Sequence, residues 1–92
     1  MRYTWDEAKR QINLDKHGLD FADAEKVFAL PVVLFEDVRE NYDEQRMIGI
    51  GLLDFLVVLI VHVEADDEIR IISMRKAGSD ETDLYYKNAG YF

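Results

Sequence analysis

Apolar residues fall at helical spacing twice near the start of the chain and then change to the two-residue rhythm of strands. In TWDEAKRQINLDKHG, Ala8 and Ile12 lie one turn apart, Thr4 and Asp6 are candidate N-caps, Glu7 sits in the first turn, and Lys16, His17 and Gly18 form a stop signal. That pattern predicts a short amphipathic helix. In LDFADAEKVFALP, Asp20 is the cap, Phe21, Ala24, Val27 and Phe28 make an apolar stripe, and Pro31, the only proline, ends a second helix. From Val32 onward, VVLFEDV and RMIGIGLL flank the polar ENYDE, and FLVVLIVHVE and EIRIISMRKA flank a short acidic ADD, which predicts two hairpins. SDETDLYYKN then reads as a Ser-capped helix with Gly90 beyond it. The expected architecture is α+β: two N-terminal helices, a four-stranded antiparallel meander and a C-terminal helix, with residues 1–92 forming one domain.

The third of these strands is apolar on both faces, Val57, Leu59 and Val61 against Leu56, Val58 and Ile60, so the sheet must be covered twice. Two N-terminal helices suit one face; the C-terminal helix or a partner chain must cover the other. Gly49 and Gly51 share one face of the second strand, where a helix of this chain or a segment of a partner packs closely.

With 49% hydrophobic residues and no cysteine, the chain must stand on packing alone, without disulfides or thiolate metal sites. MRYTWDEAKR lacks the pattern of a secretory leader, and LLDFLVVLIVHV is too short to span a bilayer as a helix, so a cytoplasmic protein without membrane contact is expected. The formal net charge of -8 argues against general nucleic-acid binding. The charge is unevenly spread, however. EDVRENYDE gathers five acids around Arg39, whereas Arg70, Arg75 and Lys76 share a strand with no acid between Ile69 and Ser79. Strict alternation puts Ser73 and Arg75 on one face and Arg70, Met74 and Lys76 on the other, unless a bulge intervenes. The two arginines then form no single clamp.

Ordered residues along nearly the whole chain carry a resemblance. They are Trp5, Asp6, Lys9, Asn13, Lys16, His17, Gly18, Phe21, Ala24, Val27 and Phe28; Asp37, Arg39, Tyr42, Glu44, Arg46 and Gly49; and His62, Glu64, Arg70, Ile71, Ile72, Ser73, Arg75, Ala77, Glu81 and Tyr85. In this the sequence resembles the BrnT family of bacterial toxins. The resemblance implies a small RelE-like ribonuclease held inactive by a BrnA antitoxin, a DNA-binding dimer that represses their shared operon, so that DNA is met only indirectly. The sequence departs from the family pattern where Ala65 follows Glu64 and Thr82 follows Glu81, positions at which the family tends to carry another arginine. That loss of positive charge favours an alternative, a catalytically degenerate homologue that only binds antitoxin and regulates its operon. An unrelated acidic adaptor is a third reading.

Metal-free RNA cleavage needs a base for the 2′-hydroxyl proton, an acid for the leaving oxygen and cations for the charge gathering on phosphorus. On the resemblance, Arg75 and Lys76 stabilise charge, His62 or Glu44 moves protons, Arg46 and Arg75 hold phosphate, and Tyr85 stacks on a base. No cofactor is implied, and two separated histidines without cysteine offer no usual metal-ligand spacing. Each candidate also has a plainer reading. His17 suits the end of a helix dipole; His62 suits a core; Arg70 and Glu64 suit a cross-strand pair; Arg75 suits an ion pair to Asp80, Glu81 or Asp83; Glu44 suits a solvated turn. Ser73 suits close packing or a bond to backbone, and Tyr85, Tyr86, Tyr91 and Phe92 suit packing or partner contact.

Overall fold

In the computed structural model, which describes residues 1–88, the elements run β1 (Arg2–Trp5), α1 (Glu7–His17), a 3-10 turn (Phe21–Asp23), α2 (Ala24–Phe28), β2 (Val33–Glu36), β3 (Met47–Leu53), β4 (Leu56–Glu64), β5 (Glu68–Lys76) and α3 (Ser79–Asn88). Gly90, Tyr91 and Phe92 lie outside the described residues. Helix α1 starts where Asp6 accepts a hydrogen bond from the Lys9 N–H at 3.1 Å, and stops at Gly18, whose φ of 69° is the left-handed conformation that glycine tolerates. The second helical segment is broken in two. Asp20 caps the 3-10 turn through the Ala22 N–H at 2.9 Å, and only then does α2 begin.

The expected four-stranded antiparallel sheet is corrected to a five-stranded mixed one, in the order β1-β5-β4-β3-β2. The meander from β2 to β5 is antiparallel, but β1 joins the far edge parallel to β5, from Arg2 opposite Glu68 to Trp5 opposite Ile71. Thr4 therefore caps no helix. It lies in β1 and donates its hydroxyl to Glu68 at 3.1 Å, beside an Arg2–Glu68 ion pair, while Tyr3 and Trp5 turn inward.

Both faces are covered. On one side Leu19, Phe21, Ala24 and Val27 pack on Val58, Ile60, Ile71 and Met74. On the other, Tyr85 of α3 packs on Ile48, Ile50, Leu59 and Val61. Helix α2 sits directly on the β3 backbone, because a Cβ built on Gly51 would lie 2.6 Å from Val27 Cγ1 and 2.8 Å from Val32 Cγ1. The helix, not a partner segment, fills the glycine face.

One irregularity decides where the cations go. Ser73 pairs with Val61 and Ile71 with His62, so Ile72 is an extra residue in β5. Ile71 and Met74, three apart, consequently both point into the helix-side core. The expectation that Arg70 lies opposite Arg75 is thereby corrected: Arg70 stands across from Val63 and Arg75 across from Leu59, both on the α3 side, while Lys76, across from Val58, is on the helix side.

Candidate functional site

The loop after β2 folds back on itself through one carboxylate. Asp37 donates its N–H to the Arg46 carbonyl at 2.8 Å, which closes the base of the loop. Its side chain, among the few buried charged groups, takes Arg39 Nε at 2.8 Å, Arg39 Nη2 at 2.7 Å and the Tyr42 hydroxyl at 3.1 Å. Arg39 and its neighbours hold this carboxyl well below the usual range, and the Arg39 guanidinium is raised in turn by Asp37. One edge of the guanidinium is thus fixed at two points, yet the Arg39 side chain is 61% exposed. Tyr42 also carries Arg46, whose guanidinium lies 4.2 Å above its ring.

A second arginine reaches the same place from β5. Arg75 forms a two-point bond to Glu81, Nη1 to Oε1 at 2.8 Å and Nη2 to Oε2 at 2.7 Å. Glu81 is fixed independently of Arg75, because in the first turn of α3 it reaches back to accept the Gly78 N–H at 2.7 Å, half of a capping box. Its carboxyl is lowered, first by Arg75 and then by that backbone donor against an opposing effect of burial; Arg75 is raised by Glu81 and opposed by burial and by the charge of Arg39. Asp37, Arg39, Ile48, Leu59, Arg75 and Glu81 line a cleft of about 310 Å³ on the α3 side of the sheet. Two guanidinium groups and the carboxylates that hold them border one space. Such a space can take a phosphodiester, provided the phosphate replaces part of each existing pairing.

The other expected site residues scatter. Glu44 pairs with Arg70, and Arg46 Nε is 4.0 Å from the same carboxylate, so Glu44, Arg46 and Arg70 gather into a cluster of their own, none of them lining the cleft. The expected Arg70–Glu64 pair does not form; Glu64 instead meets His62 Nε2 at 3.0 Å. His62, expected to exchange protons with substrate, is 0% exposed. Its Nδ1 faces the Ile60 carbonyl at 3.1 Å and its ring packs edge-on to Phe28 at 4.9 Å, beneath a Gly49 that leaves room for it. It is a core histidine with no open path to a phosphodiester. Tyr85, expected to stack on a base, is likewise 0% exposed at the heart of the α3-side core. A ring enclosed by its own sheet offers no face to a nucleotide. Lys76 is exposed at the end of β5.

Sequence reasoning left Asp37 and Arg39 out of the site. The available signal was Arg39 itself, the one cation among five acids between Glu36 and Glu44. Among the described residues, no group of three or more His, Asp or Glu is placed to hold a metal ion, and no helix is long and apolar enough to cross a membrane.

A family profile described as "Ribonuclease toxin, BrnT, of type II toxin-antitoxin system" matches residues 5–81. Among solved structures, the chain is similar to the crystal structure of the Brucella abortus ribonuclease toxin BrnT, at 32% sequence identity and a TM-score of 0.69, over 86% of this chain and 99% of that one. No curated protein sequence matches it.

Proposed function

Because the chain belongs to the BrnT family of type II toxin–antitoxin ribonuclease toxins, we propose that it cuts RNA without a metal ion, with Arg75 and Arg39 as the charge-stabilising groups. The convergence of these two arginines on one cleft is the observation that carries the reading. In such a reaction the 2′-oxygen bonds to phosphorus as its proton leaves, the bond to the 5′-oxygen breaks, and that oxygen takes up a proton. Negative charge builds on the non-bridging oxygens, where guanidinium N–H groups held in advance lower the barrier. Asp37 orients Arg39 by its Nε and Nη2, and Glu81 orients Arg75 by both terminal nitrogens. When phosphate draws Arg75 away, Glu81 loses the contact that most depresses its pKa and becomes a better proton acceptor. Arg46, stacked on Tyr42, holds a neighbouring phosphate, whereas Lys76, at the strand end on the other face of the sheet, lies away from this cleft. Glu44 orients Arg70 and Arg46 around that phosphate.

The protein acts in the cytoplasm and is neutralised by a BrnA-like antitoxin, dimeric and DNA-binding, to which the acidic loop from Glu36 to Glu44 offers a charge complement. Purified wild-type protein is expected to degrade RNA in excess EDTA. Arg75→Ala is expected to slow it by about 10²–10³-fold, as for loss of one transition-state donor, and coexpressed antitoxin is expected to restore growth. Absence of cleavage by folded wild-type protein overturns the reading.

One observation favours the second reading, a degenerate toxin that retains only antitoxin binding. Both cleft arginines already hold two-point bonds to carboxylates of their own chain, and Ala65 and Thr82 stand where the family tends to carry arginine. Thr82 spends its hydroxyl on the Gly78 carbonyl at 2.8 Å. On that reading, Glu81→Gln restores no cleavage and antitoxin still binds.

A further inference from the structure

Every arginine of the chain lies within 4.0 Å of one of its own carboxylates, and so does Lys26. Among the described residues Lys9, Lys16, Lys76 and Lys87 have no such partner, and two of them share one cleft. Lys9, Lys16 and His17 lie on one stripe of α1, at spacings of four, seven and eight residues counted with Asn13 from Lys9. They border a cleft of about 220 Å³ whose other walls are Ile12, Asn13, Ile72 and Ser73, and no Asp or Glu lines it. In a protein of net charge -8, a pocket lined by three basic side chains and no acid stands apart from the overall charge.

The fold builds this cleft. Strand β1 stops at Trp5, opposite Ile71, so β5 has an open edge from Ile72 onward. Helix α1 comes alongside that edge, and Asn13 Oδ1 takes the Met74 N–H at 3.1 Å in place of a neighbouring strand. Asn13 Nδ2 donates to the Leu19 carbonyl at 3.0 Å, which fixes the side chain at both ends. The bulge at Ile72 lies in the same wall.

We propose that the cleft between α1 and the open edge of β5, bordered by Lys9, Lys16, His17 and Ser73, is a second anion site that binds a backbone phosphate of the RNA strand. It rests on the reading that the chain acts on RNA, and it extends the contact surface to the far side of the sheet edge. Three features select nucleic-acid phosphate over the carboxylates of an acidic protein. The groups are lysines, compact point charges suited to phosphate, and not the planar forks that match carboxylates in two-point bonds. Ser73 adds a hydroxyl of the kind used on phosphate oxygens. Lys76, another lysine without a carboxylate partner, ends the same strand about 10 Å beyond Ser73 at the rise of a strand and on the other face, which offers a flexible polymer a further cation that a single carboxylate could not use.

The test uses the full chain and a fluorescein-labelled single-stranded oligonucleotide with 2′-O-methyl groups throughout, which cannot be cut by 2′-hydroxyl attack. Anisotropy gives its affinity from 50 to 200 mM salt. Lys9→Gln with Lys16→Gln is expected to lower the slope of log affinity against log salt by about 1.4, two phosphate contacts at about 0.7 each on a single strand. Over that range the double variant then loses about sevenfold less affinity than wild type. The control pair Lys26→Gln with Lys87→Gln is expected to leave the slope unchanged. Equal slopes in wild type and the Lys9/Lys16 variant, the same drop in the control, or competition by polyglutamate as strong as by unlabelled oligonucleotide each overturn the site. Cleavage of unmodified RNA is assayed separately. Lysine-dependent binding without cleavage removes the nuclease reading and keeps this site, whereas cleavage with lysine-independent binding does the reverse.

Discussion

Asn13→Ala is the substitution whose cost the structure defines most closely. The Asn13 side chain is 6% exposed and makes two hydrogen bonds, donating to the Leu19 carbonyl at 3.0 Å and accepting from the Met74 N–H at 3.1 Å. Leu19 and Met74 both belong to the helix-side core, so truncation strands one buried acceptor and one buried donor. Each stranded group costs about 1–3 kcal/mol. Leu19 retains 8% exposure and recovers part of its loss from water, which brings the sum to about 2–4 kcal/mol. Against a stability of about 5–15 kcal/mol, that is a large fraction. The expected fall in Tm is about 8–32 °C, at about 4–8 °C per kcal/mol for a domain of this size. Urea unfolding followed by far-UV circular dichroism should show the midpoint moving down by about 1–3 M with an unchanged slope. Asn13→Asp keeps the acceptor but sets a carboxylate against the Leu19 carbonyl, so it should cost no less than alanine. A loss below about 0.5 kcal/mol for Asn13→Ala, the range of an ordinary surface change, refutes the claim that this side chain seals the sheet edge.

Three further outcomes follow from packing and charge. Gly51→Ala should cost about 1–3 kcal/mol, because its Cβ would meet Val27 Cγ1 at 2.6 Å. Gly49→Ala, whose nearest contact is His62 Cε1 at 3.3 Å, should cost less in the same melts. Tyr85→Ala should cost about 3–5 kcal/mol as a large-to-small core change. Tyr85→Phe should be milder and leave oligonucleotide affinity intact; a folded Tyr85→Phe protein that loses RNA affinity would return Tyr85 to the substrate contacts. Asp37 and Glu81 have lowered pKa values in the folded protein, so their contribution is fully present above the ordinary carboxylate values of about 3.9 and 4.3 and is lost as pH falls below them. The stability gap between wild type and Asp37→Asn should therefore be constant from about pH 5 to 8 and shrink below about pH 4; a gap that does not change on acidification contradicts the Asp37–Arg39 pairing.

The long periodic runs were legible. Strands β2 to β5 and helices α1 and α3 announce themselves by β-branched runs, by the Asp6 cap and Gly18 stop, and by Glu81 early in the last helix, although the expected Ser cap is corrected: Ser79 is the first helical residue and Glu81 takes the N–H of Gly78 before it. Strand β1 did not, because four residues carry almost no periodicity, Thr4 resembles a cap, and its parallel partner begins at Glu68, far along the chain. The bulge left no mark either. Ile71 and Ile72 are both β-branched and apolar, so nothing in their chemistry says which one is extra. Of the ion pairs, Arg75–Glu81 could be anticipated because the two residues bracket a helix start, whereas Arg70–Glu44 joins residues 26 apart through a loop whose path depends on Asp37. The burial of His62 and Tyr85 matched their plainer reading as packing residues, since side chains between apolar neighbours on a doubly covered sheet have nowhere else to go.

The extra residue in β5 also makes the length of that strand a determinant in its own right. Because Ile72 is the spare residue, excising it would restore strict alternation while leaving Ile71 and Met74 inward and Arg70 and Arg75 on the α3 side. A second deletion in the strand would have no spare residue to absorb it and would turn one flank over, sending Met74 outward or Ile69 and Ile71 out of the interior. The first loss would thus be silent in charge placement, and only the next would encode a different molecular surface.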